Sequence, residues 1–410
     1  MNITAEIASR GFVFLLGCVL FLLTLASLLR TVVVPRHLRS VLTSIVMGAI
    51  IYLTRFIARL RRTYLKRDSV LAWSGPLMIL ALLLFWLLCF ILSYGLLIYG
   101  VSRLTLGDSI RQAGASLLTL GFAGAGNGVQ DQTIIDFIAA TTGPVVIALM
   151  IGYLPTIYQT YLEREVLVSM ISAEAGEPAW GPEFLSRVAL SQDLSHLSEN
   201  FDEWAQWSAR LRLTHMTYPM LLYVRSARGS RHYIATLTAM LDAGALVLAV
   251  TTTLPRASCR RHLLQGSQAL QTLYGSFFAK GGGRIIDTSH IEALSPDERI
   301  IAVHAAAADD FQQGLTSMGL VAGHNETHAA YALTRADFDF AIGLLTDAHF
   351  PIEVDSDTAW ETFRTIRAVY ELPAYGIMRR LDATPAPWTG PRDIPTETMW
   401  PTLATQRFGS

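Results

Sequence analysis

The chain has 410 residues, of which 51% are hydrophobic and 16% are charged, and its mean hydropathy is +0.37. Soluble domains carry about 25% charged residues on average, so this composition indicates a large membrane part. Lys and Arg outnumber Asp and Glu by 12 to 5 up to residue 162, whereas the remainder holds 20 against 28. The acidic remainder argues against a nucleic-acid-binding surface. Cys18, Cys89 and Cys259 are too widely separated for a disulfide framework or a zinc motif.

The first predicted element is a membrane-spanning helix near the N-terminus. Gly11 to Leu29 contains no charge and has about the 20 residues that cross a hydrocarbon core. A signal peptide is the alternative, but Glu6 precedes the apolar run and no small-residue cleavage site follows it. We therefore assign residues 1–35 to an N-terminal transmembrane helix that begins outside the cell.

Residues 36–68 form a basic segment, which is typical of the cytosolic side of a membrane. Its apolar stretch, Val41 to Thr54, is short for a span at about 14 residues and lies between Arg39 and Arg55. This pattern favours an amphipathic helix at the membrane interface, with arginines facing anionic lipid headgroups. The alternative, that residues 41–54 cross the membrane, stays open.

Two longer apolar runs follow, and neither contains a charged residue: Ser69 to Ser102 and Phe137 to Leu162. The first has 34 residues and would extend about 50 Å as a helix. Because a hydrocarbon core is only about 30 Å thick, this helix must tilt, protrude or break. The second run returns the chain to the side on which the first began.

The segment between these runs is short and rich in glycine. Gly107-Asp108-Ser109 predicts an N-cap for a short helix over residues 109–119, and a Gly-rich turn follows at once. In lipid, irregular backbone is tolerated only where it is buried in protein or lines water. The layout is therefore that of a re-entrant pore loop. A flexible connection is one alternative, and a dinucleotide-binding glycine motif is another, although no strand precedes it.

The centre of this loop, Thr-Leu-Gly-Phe-Ala at residues 119–123, resembles the Thr-Val-Gly-Tyr-Gly filter of potassium channels. The resemblance covers residues 69–162 and implies a pore module of helix, pore loop and helix. In the family, the hydroxyl and carbonyl of the filter threonine, here Thr119, form the innermost ion site. The resemblance implies a selectivity filter made of Thr119, Leu120, Gly121, Phe122, Ala123 and Gly124.

The same resemblance implies partners and a hinge. A ring of carbonyls needs several chains, so the family likeness implies a homotetramer in the plasma membrane, with K⁺ as the permeant ion and no other cofactor. In the family, the helix after the filter bends at a glycine. Gly143-Pro144 and Gly152 are the candidate hinges, and Pro155 also interrupts this helix. Ordinary helix packing through a small residue is the alternative for Gly152.

The likeness departs from the family at Ala123, where the second filter glycine is expected, and at Gly124, where Asp or Asn usually follows. Alanine in that backbone conformation costs about 1–2 kcal/mol per subunit, so the filter either bends differently or has an altered outermost site. A second hypothesis therefore accompanies the cation channel. It is a non-conducting or non-selective channel-like membrane anchor for a sensory or partner-binding domain.

Residues 163–382 predict a cytosolic all-α regulatory domain. Helix start signals occur at Ser295, at Thr334 and at Asp355-Ser356, and the last of these helices is predicted to stop near Pro373. Aromatic residues at helical spacing predict a further core helix over residues 201–211. Thr238 to Leu254 is apolar but contains Asp242, which favours a buried helix over another span.

No residues define what this domain binds, so its gating ligand or partner is unknown. Lys280 to Arg284 is a glycine turn with basic ends, and it has the pattern of an ordinary loop more than of a phosphate site. His304, His324 and His328 would bind a metal only if folding gathers them with a carboxylate such as Glu326. No nucleophile–base set is evident, and we expect no enzyme activity. The proline-rich residues 383–410 predict a disordered tail.

The predicted fold class is therefore all-α. It comprises three transmembrane helices and a re-entrant pore helix, followed by a cytosolic all-α domain.

Overall fold

The computed structural model describes residues 3–33, 40–121, 133–277 and 333–389, and within these ranges the chain forms helices and turns without a strand. Twelve α-helices occur in this part of the chain. They are α1 (Ile3–Leu28), α2 (Val41–Arg59), α3 (Tyr64–Leu71), α4 (Ser74–Val101), α5 (Leu106–Leu117), α6 (Thr133–Ala175), α7 (Gly181–Leu190), α8 (Leu197–Thr217), α9 (Tyr233–Val250), α10 (Arg256–Phe277), α11 (Arg335–Asp347) and α12 (Ser356–Leu381). The predicted all-α class is confirmed for the described residues.

Several of these helices are long and apolar enough to cross a membrane, which is consistent with a membrane protein. Five stretches of the described chain meet this requirement: Ala8–Val33, Val41–Arg59, Tyr64–Val101, Thr133–Ala175 and Tyr233–Val250. The three predicted transmembrane helices are among them.

The chain divides into two compact units. Unit 1 comprises the described parts of Met1–Leu60, Val70–Thr160 and Thr217–Val224, and unit 2 those of Arg61–Ser69, Tyr161–Met216 and Arg225–Ser410. The chain passes from unit 1 to unit 2 at residue 160, close to the predicted boundary after residue 162. Two short segments differ from the predicted organisation, because residues 61–69 belong to unit 2 and residues 217–224 to unit 1.

In unit 1, α1 packs antiparallel to α4. The Arg10 guanidinium, near the start of α1, donates hydrogen bonds to the carbonyl oxygens of Tyr99 and Ser102 at the end of α4. At Gly100 the two helices approach so closely that an added Cβ would lie 2.6 Å from Cβ of Phe14. Small residues at such a crossing allow backbones to meet in apolar surroundings.

The start of α2 is tied to α1 by hydroxyl groups. Ser40 Oγ lies 2.7 Å from Ser27 Oγ, and Thr43 Oγ1 lies 2.8 Å from Thr31 Oγ1. Ser27 Oγ also accepts a hydrogen bond from Trp86 Nε1 of α4. Because Trp86 is 12 residues after Ser74, α2 begins about 18 Å along α4 from its start.

This starting level excludes one direction for α2. The helix has 19 residues and a length of about 28 Å. The chain from Leu60 to Ser74 includes α3 and reaches at most about 35 Å. An α2 that ran toward the C-terminal end of α4 would finish about 46 Å from Ser74, which the connection cannot span. The helix therefore does not extend to that end of α4.

The long apolar run over residues 69–102 breaks at residues 72–73, where α3 gives way to α4. Pro76 lies in the first turn of α4, where a missing N–H costs no helical hydrogen bond. Segment 217–224 packs on this turn. Ser74 Oγ donates to the carbonyl of Tyr223 at 3.1 Å, and a Cβ at Gly75 would lie 2.8 Å from Val224.

Unit 2 is built around α9, every residue of which is buried. At the start of α7, a Cβ on Gly181 would lie 2.4 Å from the carbonyl oxygen of Ala239, so the two backbones touch. Asp242 of α9 accepts hydrogen bonds from Arg367 at 2.9 Å and from Tyr370 at 2.7 Å, both in α12. The predicted interruption at Asp242 is thus a buried polar link between two core helices.

Helix α12 corrects the predicted stop near Pro373, because it continues through this proline to Leu381. Proline cannot donate to the carbonyl four residues earlier, which belongs to Val369. Gln271 Nε2 of α10 donates to that carbonyl instead, at 3.1 Å. The helix ends where Asp382 adopts a left-handed conformation with φ of 48°.

The other predicted helices of this unit have three outcomes. The capping box at Thr334 is confirmed, with its partner Asp337 in α11. The predicted core helix over residues 201–211 lies within α8, and its apolar residues Phe201, Trp204, Trp207 and Leu211 are buried. The helix predicted from Ser295 lies outside the described residues.

The predicted disordered tail differs in its first residues. Residues 383–389 belong to unit 2, and Thr384 is buried, with its hydroxyl donating to the carbonyl of Gly229 at 2.7 Å. Residues 390–410 lie outside the described chain.

The buried ion pair gives a first prediction. Arg367→Leu removes the partner of Asp242 where both side chains are 2% exposed, and we expect it to lower the unfolding free energy by about 3–5 kcal/mol. Arg364→Leu is the matched control, because its pair with Glu361 is 63% and 61% exposed and is worth less than about 1 kcal/mol. Thermal unfolding of the solubilised full-length protein, followed by tryptophan fluorescence, measures both. Equal melting temperatures for the two variants would contradict the predicted contribution of the buried Arg367–Asp242 pair.

Candidate functional site

The candidate site surrounds α5, the short helix between α4 and α6. Its N-cap is Thr105, so the helix begins at Leu106, three residues before the predicted start at Ser109. Thr105 Oγ1 accepts a hydrogen bond from the Asp108 amide at 3.2 Å and donates one to the Asp108 carboxylate at 2.6 Å. The Asp108 carboxylate at the third helical position completes the cap with Thr105. The helix therefore begins before Gly107 and not after it.

One side of α5 is held tightly against α4. A Cβ on Gly95 would lie 2.8 Å from Ile110 Cγ1 and 3.1 Å from its Cα, so the helices touch along their backbones. Ser109, Ala113 and Leu117 are buried. This close contact fixes the axis of α5 on α4, and the residues after Leu117 extend from a rigid support.

The end of α5 has a defined hydrogen-bond pattern. The Leu120 amide donates to the Ala115 carbonyl at 2.8 Å, and the Thr119 amide donates to the Ser116 carbonyl at 3.1 Å. These two bonds form a Schellman motif, which places Thr119 in the left-handed region, with φ of 55°. A β-branched residue in that region costs about 1–2 kcal/mol. Such strain persists only where the surrounding structure imposes it.

The turn that follows is exposed in the single chain. Leu118 is 42% and Leu120 52% exposed, and Gly121 has a φ of 74°, a conformation that L side chains rarely adopt. The Thr119 hydroxyl donates to the carbonyl of Leu118 at 2.8 Å. The structure thus places Thr119, Leu120 and Gly121 together at the end of α5.

Helix α6 meets the end of α5 at Gly143. A Cβ there would lie 1.8 Å from the Leu117 carbonyl oxygen, so only glycine fits. Nothing lies within 4 Å of a Cβ built on Gly152 among the described residues. Pro144 and Pro155 are both inside α6, which continues as one helix. Of the candidate hinge residues, Gly143 is a packing contact, and Gly152 is open to its surroundings.

A carboxylate links α6 to the last two turns of α5. Asp136, in the first turn of α6, accepts hydrogen bonds from Gln112 Nε2 at 3.0 Å and Ser116 Oγ at 2.9 Å. The sequence interpretation did not identify these residues. The sequence does contain a signal for Asp136, because it is a lone carboxylate beside a long uncharged run. Such a group needs a partner in apolar surroundings.

Between residues 133 and 160, α6 buries only a narrow stripe. The buried residues recur every three or four positions: Ala139, Gly143, Val146, Met150, Tyr153 and Ile157. Large apolar side chains on the rest of this surface are exposed, among them Phe137 at 68%, Ile151 at 67% and Tyr158 at 60%. A helix that is apolar on all sides requires lipid or protein around it.

The remaining predicted residues lie outside the described chain. These are Phe122, Ala123 and Gly124 of the predicted filter, the glycine turn at residues 280–284, and His304, His324, His328 and Glu326. Within the described ranges, no group of three or more His, Cys, Asp or Glu residues is placed to hold a metal ion.

Comparison with known proteins adds no assignment, because no protein-family model, no curated protein and no solved structure matches this chain.

The contact at Gly143 gives the second prediction. We expect Gly143→Ala to displace the end of α5 and to lower the unfolding free energy of the solubilised protein by about 1–3 kcal/mol. Gly152→Ala is the control on the same helix. There the replacement of a helical glycine should raise the unfolding free energy by up to about 1 kcal/mol. Melting temperatures and size-exclusion profiles of the two variants test this. A Gly143→Ala protein as stable as Gly152→Ala would contradict the close contact.

Proposed function

We propose that this chain is one subunit of a cation channel, and that residues from Thr119 onward line its ion path. The observation that carries the proposal is the strained turn after α5. Between two long apolar helices, the chain forms a short helix and then backbone in left-handed conformations at Thr119 and Gly121. In a membrane, irregular backbone of this kind must be buried in protein or line water.

The arrangement of unit 1 supports a three-span orientation. The contact of Arg10 with Ser102 shows that the start of α1 lies beside the end of α4. If α4 runs outward from the cytosol, α1 therefore begins outside and ends inside. Helix α6 then returns the chain to the cytosol. The basic residues 30–67 fall on the cytosolic side, which agrees with the charge rule.

The exposed surface of α6 supports an oligomer. One chain contributes one turn of the Thr119–Gly121 type, and a ring of backbone carbonyls needs several. The exposed Leu118 and Leu120, together with the apolar surface of α6, offer area that other copies would cover. We propose a homotetramer in the plasma membrane, on the resemblance of residues 119–123 to potassium-channel filters.

Potassium is the proposed ion, since Thr119 and Gly121 occupy the positions of the filter threonine and first glycine. The second candidate is a non-conducting or non-selective anchor for unit 2, and Ala123, in place of the second filter glycine, favours it. The two candidates differ in what the membrane part passes, so a measurement of ion selectivity separates them.

The third prediction is the reversal potential of the purified protein in planar bilayers under a potassium/sodium bi-ionic gradient. We expect it to shift strongly toward the potassium potential. Gly121→Ala should abolish the current or the shift, because a Cβ at φ of 74° costs about 1–2 kcal/mol in each subunit.

Gly107→Ala is the control for this measurement, since Gly107 also has open space around it but no positive φ. A current that reverses near zero in the wild type would refute the proposed potassium selectivity. Unchanged currents in Gly121→Ala would show that Gly121 is not part of the ion path.

Unit 2 is proposed to control the channel through the two chain segments that it holds firmly. Residues 161–175, the end of α6, are one. In this segment Arg164 is buried, its guanidinium lies 4.0 Å from the ring centroid of Tyr233, and its carbonyl accepts a hydrogen bond from Trp207 at 3.1 Å. A movement of unit 2 would therefore carry the end of α6 with it.

Residues 61–69, which lead into α4, are the other segment. Arg225 donates to the Asp68 carboxylate, with exposures of 7% and 11%, and also to the carbonyls of Leu381 and Asp382. Unit 2 thus holds the chain ahead of α4 as well as the end of α6. The candidate hinges predicted from the sequence, by contrast, all lie in α6.

The fourth prediction tests this control. Asp68→Asn removes the charge that pairs with buried Arg225, and we expect open probability to change by about tenfold or more, with the reversal potential unchanged. Asp68→Glu keeps the charge that pairs with Arg225 and should stay close to wild type. Arg67→Gln is the control, because the Arg67–Asp382 pair is 33% and 34% exposed. Single-channel recording measures all of these, and an unchanged open probability in Asp68→Asn would contradict the proposal.

A further inference from the structure

The carboxylate of Asp136 is a single group that contacts both of the last two turns of α5. One oxygen accepts from Gln112 and the other from Ser116, at 3.0 and 2.9 Å. Hydrogen bonds to an ionised carboxylate are about twice as strong as those between neutral groups. The carbonyl oxygen of Ser116 also accepts a hydrogen bond from the Thr119 amide, at 3.1 Å. The link therefore ends on the residue that shapes the proposed ion path.

The same face of α6 makes a second contact with α5, seven residues later. At Gly143 the helix touches the Leu117 carbonyl oxygen so closely that no side chain fits. Two points on one helix face, 136 and 143, thus locate the end of α5 on α6. The contact at Gly143 limits how near the helices come, and the Asp136 hydrogen bonds oppose their separation.

The position of Asp136 on α6 accounts for its charge. A carboxylate in the first turn of a helix is stabilised by the positive end of the helix dipole. It is disfavoured near the negative end of α5, and the two donated hydrogen bonds more than offset this weaker effect. Because both oxygens are engaged, the group is suited to holding α5 rather than to binding a cation itself.

We infer that Asp136 is a positioning residue for ion selection, which holds the α5 terminus and with it Thr119 to Gly121 in the selective geometry. This inference rests on the proposed channel function. It assigns to Asp136 no contact with the ion, and its effect passes through Gln112 and Ser116.

The test uses the full-length protein in lipid and two readouts. Asp136→Asn keeps the shape but replaces one acceptor by a donor. We expect the hydrogen-bonded amides of residues 118–120 to exchange with deuterium about tenfold faster, and the K⁺/Na⁺ permeability ratio to fall by about tenfold. Thr141→Val is the control on α6, because the Thr141 hydroxyl donates to the carbonyls of Phe137 and Ile138 in its own helix, and it should change neither.

Reversal of the hydrogen bond provides the rescue. Gln112→Glu alone places two carboxylates together and should also lower selectivity. Combined with Asp136→Asn, it restores a donor–acceptor pair and should recover most of the permeability ratio. A merely structural role would change protein yield and melting temperature without this pattern.

Every result is decisive. Unchanged amide exchange in Asp136→Asn overturns the inference whatever the currents are. Faster exchange with an unchanged permeability ratio shows that the link does not govern selection, and also overturns it. A wild type that conducts without potassium selectivity refutes the proposed potassium channel and with it the selective role of Asp136. The same conclusion follows if neither the wild type nor Asp68→Asn, the variant with altered control by unit 2, conducts at all. Amide exchange then still reports whether the carboxylate holds the α5 terminus.

Discussion

Backbone amides and carbonyls that leave a helix in apolar surroundings must find partners, and this requirement shapes the protein from α5 outward. The last carbonyls of α5 are satisfied by the amides of Thr119 and Leu120, which forces Thr119 into a left-handed conformation. In the membrane position proposed for this turn, unpaired backbone would cost more than the strain of about 1–2 kcal/mol. The conformation of the proposed ion path thus begins with a helix terminus.

Helix α6 supports that terminus with two opposed contacts. Gly143 allows backbone to touch backbone, whereas Asp136 supplies the polar partners that hold the end of α5 against it. Tyr94 adds a third connection from α4, with its hydroxyl 2.7 Å from Thr142 Oγ1. Small residues and satisfied polar groups are the means by which helices associate when no hydrophobic gain separates lipid from protein.

Unit 2 depends on the same rule in a different setting. Asp242 lies in the middle of a fully buried helix, and its carboxylate is stable there because Arg367 and Tyr370 donate to it. Arg225 likewise satisfies its donors on Asp68 and on the carbonyls that end α12. Residues 61–69 are therefore held by unit 2 although they precede α4 in sequence.

The helical class, the long apolar runs and the local start signals can all be predicted from the amino-acid sequence. Apolar length and charge identified the membrane-crossing candidates, and a threonine with aspartate three residues later identified the start of α11. These features depend on neighbours within one or two turns, so local patterns contain them. The interpretation of residues 119–121 as the turn after a short helix rests on such a pattern as well.

Features that depend on distant partners become visible only in the folded chain. The sequence predicts that Pro373 ends a helix, but a side chain from α10 satisfies the carbonyl that proline leaves free, and the helix continues. The sequence offers helix packing as an alternative role for Gly152, yet among the described residues it is Gly143 that touches another backbone. The sequence interpretation did not include Asp136, because its hydrogen-bond donors lie on another helix, α5. In each case the decisive partner lies far along the chain, and only folding brings the two groups together.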